Sequence, residues 1–217
     1  MTNAEKALDF VADGMTVGLG SGHAAEAFIR ALAASGRQVR GVPTSAASAA
    51  LASHLGIPLT TLDDVTHLDV TVDGADEVDP HLNLIKGYGH AHVREKVVAA
   101  ASKKLVILVG PEHVADKVVP VLGTRGKLPV EVLPFALGFC RRQLDALGLP
   151  PLPGEPPVSD NGNPILECRT GPIADPAGLE LRLRAIPGVV GTGLFVGMAS
   201  AVLVQSGDTV DVRTGGA

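Results

Sequence analysis

The chain has 217 residues, of which 46% are hydrophobic and 3% aromatic, and its formal net charge at pH 7 is −5. This length fits one domain with a large core, or one domain with a small satellite, packed mainly by Ala, Val and Leu. The mild negative charge, without a basic run or an aromatic platform, argues against nucleic acid as a partner. There is no bilayer-length apolar run and no signal segment, and Cys140 and Cys168 are too few for a disulfide scaffold, so no membrane association and a cytoplasmic location are expected.

The first half of the sequence alternates strand-like and helix-like segments. The segment Leu105–Val109 is apolar throughout, which is typical of a strand covered on both faces. The alternation predicts an α/β fold with a mainly parallel sheet flanked by helices. The predicted strands are Met15–Leu19, Val39–Val42, Pro58–Leu62, Leu68–Val72, Leu82–Ile85 and Leu105–Val109, and the predicted helices are His23–Ala34, Ser45–Leu55 and Ala91–Ser102.

The pattern changes near Gly123, where a smaller α+β unit is predicted to begin. A hairpin is expected around Asn161-Gly162, and two last strands, Ala201–Gln205 and Val210–Val212, are expected to return to the first sheet. The elements predicted for the smaller unit are the strands Leu128–Leu133, Ile165–Arg169 and Val189–Phe195 and the helices Ala136–Leu147 and Pro176–Ala185.

A glycine-rich loop, Gly18-Leu19-Gly20-Ser21-Gly22, ends the first strand and opens the first helix. Free backbone N–H groups at such a helix start attract anions. The spacing differs from the dinucleotide-binding pattern, and the next strand ends in the hydroxyl-rich segment Thr44-Ser45 instead of an acidic residue. A small anionic or polyol ligand is therefore favoured over NAD, although a tight turn without a ligand has the same pattern.

Charged residues follow two apolar strands, and a further one lies in the helix predicted after them. Asp73 and Asp76 come directly after Leu68–Val72, where the carboxyl ends of parallel strands gather ligands, although the same residues also suit an ordinary turn. Lys86 precedes Gly87 and Gly89 and is placed to stabilise an oxyanion, or else is a solvated lysine before a turn. Glu95 does not share a helix face with Arg94 or Lys96, so it can point towards the other charges as a general base, or else lie exposed.

Together these segments resemble ribose-5-phosphate isomerase of the A type, over nearly the whole chain and in the same order. The motifs that carry the resemblance are Val72-Asp73-Gly74-Ala75-Asp76-Glu77, Leu84-Ile85-Lys86-Gly87, Arg94-Glu95-Lys96, Gly41-Val42-Pro43-Thr44-Ser45, Leu128-Pro129-Val130-Glu131-Val132, Ile186-Pro187-Gly188-Val189-Val190 and Gly193-Leu194-Phe195.

The resemblance implies a Rossmann-like domain, here residues 1–123 and 200–217, with an inserted ferredoxin-like domain, residues 124–199. It implies a homodimer or homotetramer that interconverts ribose 5-phosphate and ribulose 5-phosphate in the pentose phosphate pathway without metal or other cofactor. By motif, Glu95 corresponds to the enolising base and Lys86 to the oxyanion-stabilising lysine. Asp73 and Asp76 correspond to the carboxylates tied to ring opening and hydroxyl binding.

The chain departs from the family pattern where the phosphate is expected. After Gly20 the loop reads Ser21-Gly22-His23-Ala24, so only Ser21 keeps a hydroxyl, and Tyr88, His90 and His92 interrupt the glycine run after Lys86. Compensation by His23, His90, Arg125 or Lys127 is one interpretation, and a different sugar substrate is another. A metal at His90 and His92 is not favoured, and His92 is expected on a helix surface. The candidate substrate-binding residues are Gly20, Ser21, Gly22, His23, Ala24, Thr44, Ser45, Gly87, Tyr88, Gly89, Arg125 and Lys127.

A non-catalytic alternative is a sugar-phosphate-sensing domain, which needs no base and usually carries a DNA-binding helix pair. The sequence starts almost directly at the first sheet element, so no such pair is expected. Glu131 lies between Val130 and Val132 on a predicted strand and is expected to be structural or interfacial. Cys140 and Cys168 have no evident base partner and are expected to be ordinary thiols.

Overall fold

The computed structural model describes residues 1–215 and divides into two compact units. The first unit contains Met1–Ala75, Arg94–Lys117 and the described residues from Met198 onwards, and the second contains Asp76–Val93 and Val118–Gly197. The boundaries predicted from the sequence assign residues 76–93 to the Rossmann-like domain, whereas this division groups them with the second unit.

The helices and strands of the described residues are numbered in chain order. The helices are α1 (Asn3–Ala7), α2 (His23–Ala34), α3 (Ala46–His54), α4 (His92–Ala100), α5 (Val114–Lys117), α6 (Leu137–Ala146) and α7 (Pro176–Arg184). The strands are β1 (Thr16–Leu19), β2 (Arg40–Pro43), β3 (Val70–Gly74), β4 (Glu77–Val78), β5 (Leu84–Ile85), β6 (Leu105–Val109), β7 (Lys127–Val132), β8 (Ile165–Arg169), β9 (Val189–Thr192), β10 (Leu194–Phe195), β11 (Ala201–Ser206) and β12 (Thr209–Thr214).

The first unit is built on a mainly parallel sheet. Within residues 1–215 its strand order is β12-β11-β6-β3-β1-β2, and only the β11–β12 pair is antiparallel. The return of the last two strands to this sheet agrees with the sequence analysis. Every residue of β6 is buried, as expected for a strand covered on both faces. One core cluster joins the sheet to α1 and α2 and includes Phe28, Ile29 and Leu203.

The helices of the first unit begin at clear local signals. Thr2 and Glu5 form a capping box that starts α1, a helix the sequence analysis missed. The Ser45 hydroxyl accepts from the Ser48 N–H at the start of α3. Gly22 precedes α2 with a φ of 84°, a left-handed conformation that glycine adopts readily.

The predicted strand Pro58–Leu62 is wrong. Only Leu59 forms an isolated bridge, and its partner is Gly41. The Gly41 N–H donates to the Pro58 carbonyl, and the Gly41 carbonyl accepts from the Thr60 N–H. The chain then turns at Thr61, whose hydroxyl donates to Asp64 at 2.6 Å. Paired on one side for a single residue, the segment does not extend the sheet.

The second unit contains the predicted α+β arrangement. Strands β7, β8 and β9 form an antiparallel sheet in the order β8-β7-β9, and its core includes Leu144 of α6 and Leu183 of α7. A second small sheet has the order β10-β5-β4. The predicted strand Val189–Phe195 is divided between these sheets. The division falls at Gly193, where an added Cβ would lie 2.9 Å from Pro129 Cδ.

Candidate functional site

The candidate residues fall in both units, and each set is described within its own unit. In the first unit the parallel register places the ends of three strands side by side, because Leu19 of β1 pairs with Pro43 of β2 and with Val72 of β3. Gly20 and Thr44 directly follow β1 and β2, and Asp73 is the residue after Val72, near the carboxyl end of β3. The glycine-rich loop, the hydroxyl-rich segment and the first aspartate therefore lie at one edge of the sheet.

Hydrogen bonds tie the glycine-rich loop to Asp73. Its Oδ1 accepts from the backbone N–H of Ser21 at 3.1 Å and from that of Gly74 at 2.7 Å. A Cβ added at Gly20 would lie 2.7 Å from Asp73 Cα and closer still to the carboxyl group, so this approach requires glycine. Asp73 is 1% exposed. Buried carboxylates need such donors, and here the loop backbone supplies them.

Three hydroxyl groups meet beside this loop. Ser21 Oγ lies 2.7 Å from Thr44 Oγ1 and donates to Ser45 Oγ at 2.8 Å, while Thr44 Oγ1 donates to the Leu19 carbonyl at 3.1 Å. Thr44 is fully buried and Ser45 is half-buried. His23, the first residue of α2, is exposed, and Ala24 packs against Gly74. The loop thus presents hydroxyls and a helix N-terminus at one place, a combination suited to a polar or anionic group.

Glu95 lies on the buried side of α4. Three residues further along, Val98 packs beside Gly18 of β1, where an added Cβ would lie 2.7 Å from Val98 Cγ1. Ala101, just after the helix, accepts from the N–H of Leu68, which precedes β3. The helix therefore runs antiparallel to β3, and Glu95 lies about 4.5 Å along its axis from Val98, towards the carboxyl ends of the strands. Glu95 is 5% exposed, whereas Arg94 and Lys96 are half-buried.

In the second unit, Lys86 is held at the end of β5. Its side chain is buried, its N–H donates to the Gly193 carbonyl at 2.9 Å, and its Nζ lies 5.5 Å from the ring centre of Phe195. Gly87 follows with a φ of 106°, and a Cβ there would lie 2.8 Å from the His92 ring. His92 itself is fully buried, so the expectation that it lies on a helix surface is wrong. Gly87 leaves the space that this imidazole fills.

Asp76 and Tyr88 are joined directly. Asp76 Oδ2 accepts from the Tyr88 N–H at 3.0 Å, and the Asp76 carbonyl accepts from Arg125 Nη1 at 3.2 Å. The Tyr88 ring lies 4.3 Å from Lys127 Nζ and 5.3 Å from Arg125 Cζ, both within cation–π range. Burial raises the pKa of the Tyr88 hydroxyl, and the carboxylates of Glu77 and Asp76 raise it further. Tyr88, Arg125 and Lys127 thus form one basic, partly aromatic cluster, while the neighbouring Gly89 is exposed.

Two carboxylates that the sequence analysis left without a role hold this cluster. Glu77 is fully buried, and its oxygens accept from the backbone N–H groups of Gly123 at 2.7 Å and Arg125 at 2.9 Å. Burial raises the pKa of Glu77, and these N–H groups partly offset that effect. Glu167 Oε1 accepts from Lys127 Nζ at 2.7 Å and lies 3.3 Å from His90 Nε2. Only the position of Glu77 next to Asp76 hinted at its importance, and nothing local marked Glu167.

Glu131 is fully buried and accepts at Oε1 from Asn161 Nδ2 and Asn163 Nδ2 at 3.0 and 2.9 Å. It therefore holds the turn after Ser159, in keeping with the expected structural role. Among residues 1–215, no group of three or more His, Cys, Asp or Glu side chains is arranged to hold a metal ion. In the same range, no helix is both long and apolar enough to span a bilayer.

A mainly parallel sheet whose strand ends carry a glycine-rich loop, with buried acids beside it, makes this an α/β protein of the class that the sequence predicted. Residues 40–209 match the family model of ribose 5-phosphate isomerase A, phosphoriboisomerase A. The chain belongs to the ribose-5-phosphate isomerase A family, as predicted.

Relatives of this family resemble the chain over almost its whole length. Ribose-5-phosphate isomerase A from Roseiflexus castenholzii is 50% identical, over 95% of this chain and 91% of that protein. The solved ribose 5-phosphate isomerase A from Methanocaldococcus jannaschii superposes with a TM-score of 0.89 at 37% identity, covering 97% of this chain and 96% of that one.

A second solved structure, a D-ribose-5-phosphate isomerase in complex with phospho-erythronic acid, has a TM-score of 0.91 and 35% identity, covering 97% of this chain and 95% of that one. These matches do not favour the sensor-domain interpretation or the assignment of another sugar.

Proposed function

We propose that this protein interconverts D-ribose 5-phosphate and D-ribulose 5-phosphate through a cis-enediolate. Membership of the isomerase family supports the reaction, and the observation that carries it is the burial of Glu95 on the part of α4 that lies towards the carboxyl ends of the strands, where Ser21 donates to Asp73. A related structure holds phospho-erythronic acid, a phosphorylated sugar acid, which supports a phosphorylated substrate here.

Glu95 is the proposed general base. Its carboxylate removes the proton from C2 of the open-chain aldose, and the C–H electron pair forms the C1–C2 double bond of the enediolate. The same carboxyl group then returns the proton to C1, while the O2 proton moves to O1 and the carbonyl forms at C2. One base near both carbons is sufficient, and such general-base catalysis contributes roughly 10²–10⁴ in rate.

Lys86 and the two aspartates have complementary proposed roles. The Lys86 ammonium stabilises the negative oxygen of the enediolate, and such preorganised charge typically contributes about 10²–10³ in rate. Asp73 transfers a proton from the anomeric hydroxyl to the ring oxygen so that the sugar opens. Asp76 accepts from a substrate hydroxyl. The hydroxyls of Ser21, Thr44 and Ser45 and the start of α2 bind polar oxygens of the sugar phosphate.

The test is a comparison of Glu95→Gln with wild-type protein and with Glu112→Gln, an exposed control in the same unit. With ribose 5-phosphate, Glu95→Gln should lower kcat by roughly 10²–10⁴ with little change in KM, because the amide binds but does not accept a proton. Deuterium exchange from solvent into the substrate, followed by NMR, should fall in parallel. A substrate panel with unphosphorylated ribose and other pentoses completes the test. Wild-type turnover of another aldose but not of ribose 5-phosphate contradicts the proposal.

We also propose that the protein works in the cytoplasm as a homodimer or homotetramer. Both cysteines are buried free thiols, as expected in a reducing compartment. Phe135 is fully exposed, and Leu133 and Phe139 nearby are 48% and 41% exposed, so this segment offers an apolar surface of the kind that a second copy covers.

Light scattering after gel filtration tests the assembly. Wild-type protein should have a mass at least twice 22.1 kDa. Phe135→Ser should shift it towards the monomer, because the apolar area available to a second copy falls. Leu181→Ser, at another exposed leucine, is the matched control. A wild-type monomer at micromolar concentration contradicts this proposal.

A further inference from the structure

Glu77 has an unusual set of partners for a buried carboxylate. Its side chain is fully buried, and both of its oxygens accept from backbone N–H groups of one loop. Arg125 N–H donates to Oε1, and Gly123 N–H donates to Oε2. Backbone N–H groups that converge from consecutive residues form a concave anion-binding site. In this protein the occupant of that site is a side chain of the chain itself.

The loop that Glu77 holds is constrained from its other side as well. Gly123 has a φ of 86°, and a Cβ there would collide with the Gly171 carbonyl oxygen. The Leu122 carbonyl accepts from the Ile173 N–H at 2.7 Å, and the Gly126 carbonyl accepts from the Thr170 N–H at 3.0 Å. The loop backbone is therefore held between Glu77 and residues 170–173, and the exposed side chains of Thr124 and Arg125 are accessible to a ligand.

Those side chains carry the positive charge of the cluster. Arg125 is exposed and donates to the Asp76 carbonyl, and Lys127 lies at the start of β7 beside the Tyr88 ring, with its Nζ also donating to Glu167 Oε1 at 2.7 Å. The Tyr88 hydroxyl donates to the Lys127 carbonyl at 3.0 Å, which links the ring to the same segment. Releasing the loop from Glu77 would thus shift both cations relative to Tyr88.

We propose that Glu77 is a positioning residue for substrate binding. Its carboxylate occupies the anion site formed by the backbone N–H groups of residues 123–125. The sugar phosphate therefore meets the positive charges of Arg125 and Lys127 and not the loop backbone. The expected change in KM rests on the proposed isomerase function, whereas the position of the loop can be measured in the absence of any activity. Glu77 acts through Arg125 and Lys127 and takes no part in proton transfer.

The first experiment compares Glu77→Gln with Glu131→Gln. Glu131 is the matched control, because it is an equally buried carboxylate of the same unit that holds a different turn through Asn161 and Asn163. Glu77→Gln should raise KM for ribose 5-phosphate roughly tenfold, as expected when charge-assisted hydrogen bonds are lost, and should change kcat less than about threefold. Glu131→Gln should leave KM unchanged even if it lowers thermal stability.

Tyr88 provides a readout that does not depend on turnover, because it is the one tyrosine of the sequence and there is no tryptophan. Releasing the loop from Glu77 should increase quenching of Tyr88 fluorescence by acrylamide, because Arg125 and Lys127 both lie against the Tyr88 ring and would move away from it. Glu131→Gln should leave the quenching unchanged. If wild-type protein does not isomerise ribose 5-phosphate, the proposed function fails, and this optical comparison still decides whether Glu77 positions the loop.

A double-mutant cycle separates positioning from general destabilisation. If Glu77 acts through Arg125, the increase in KM caused by Arg125→Met should be clearly smaller in the Glu77→Gln background than in wild type. Glu77→Asp, which keeps the charge but shortens the reach, replaces Glu77→Gln if that variant does not fold. Additive effects on KM, or unchanged KM and unchanged Tyr88 quenching in a folded variant, overturn the proposal.

Discussion

Asp73 receives its hydrogen bonds from the backbone of the loop that approaches it most closely. The N–H groups of Ser21 and Gly74 donate to Oδ1, and Gly20 has no side chain to hold the loop away. A buried carboxylate with fixed donors keeps one orientation, which is what a proton-transfer group requires. The conformation of one glycine therefore controls the position of a proposed catalytic acid.

Gly20→Ala tests this dependence. The added methyl group would meet the Asp73 side chain and its Cα, so Asp73 or the loop must shift. We expect kcat/KM for ribose 5-phosphate to fall by at least about tenfold, and the free energy of unfolding to fall by about 1–3 kcal/mol, the usual cost of overpacking. Steady-state kinetics and urea unfolding measure the two effects. Gly171→Ala is the control, because an added Cβ there meets nothing within 4 Å. Full activity of Gly20→Ala would refute the argument.

Among the elements, the strand ends of the first unit were predictable because they depend on local periodicity. The apolar segments ending at Leu19, Val42 and Val72 locate Gly20, Thr44 and Asp73, and parallel pairing brings these residues together. The Pro58–Leu62 strand failed because apolar character alone does not indicate whether a segment finds a second partner strand. The burial of His92 was missed because it depends on the space above Gly87.

The roles of Glu77 and Glu167 were not predictable from the sequence. Glu77 contacts Gly123 and Arg125, 46 and 48 residues away, and Glu167 contacts Lys127 at a separation of 40. Periodicity and motif spacing describe near neighbours, whereas these bonds are set by how β4 and β8 are arranged in their sheets. Long-range partners of buried charges therefore need the fold before they can be named.

The ion pair between β7 and β8 should make the stability of this sheet depend on pH. Burial acts to raise the pKa of Glu167, but its hydrogen bonds to Lys127 and His90 outweigh burial and hold the pKa below its ordinary value of 4.5. A lowered pKa in the folded state means that the contribution to stability is present above pH 4.5 and is lost as the pH falls through the folded-state pKa. The unfolded chain then binds the proton more readily than the folded protein.

Glu167→Gln should therefore lower Tm at pH 7, and the difference from wild type should shrink as the pH falls from 4.5 towards 3. Calorimetry or circular dichroism across this range measures it. Glu155→Gln is the control, because Glu155 is exposed. A Tm difference that stays constant over the range would show that the pair does not contribute through its charge.

At the level of the whole molecule, both cysteines of the chain belong to one core. Cys140 and Cys168 lie in the core of the second unit and are fully buried. Burial raises the pKa of the Cys140 thiol, and it raises that of Cys168 to about 12. The thiolate is the reactive form of cysteine, so neither residue is suited to nucleophilic chemistry in the folded protein.

Thiol titration should confirm this protection. At pH 8 the folded protein should react with Ellman's reagent at least about 10²-fold more slowly than a free thiol. In guanidinium chloride, both cysteines should react rapidly. Rapid modification of one thiol in the folded protein would contradict the burial of that residue or reveal local opening of its core.

The strand order of the large sheet has a consequence for protein synthesis. β6 pairs with β11 along Val106 to Val109, and β11 is made almost a hundred residues later. While a ribosome is still elongating the chain, the apolar strand Leu105–Val109 has one row of backbone N–H and C=O groups with no partner strand. A nascent chain stalled before residue 201 would expose this unpaired strand edge, which is prone to aggregate. Chaperones that recognise extended apolar segments would bind it.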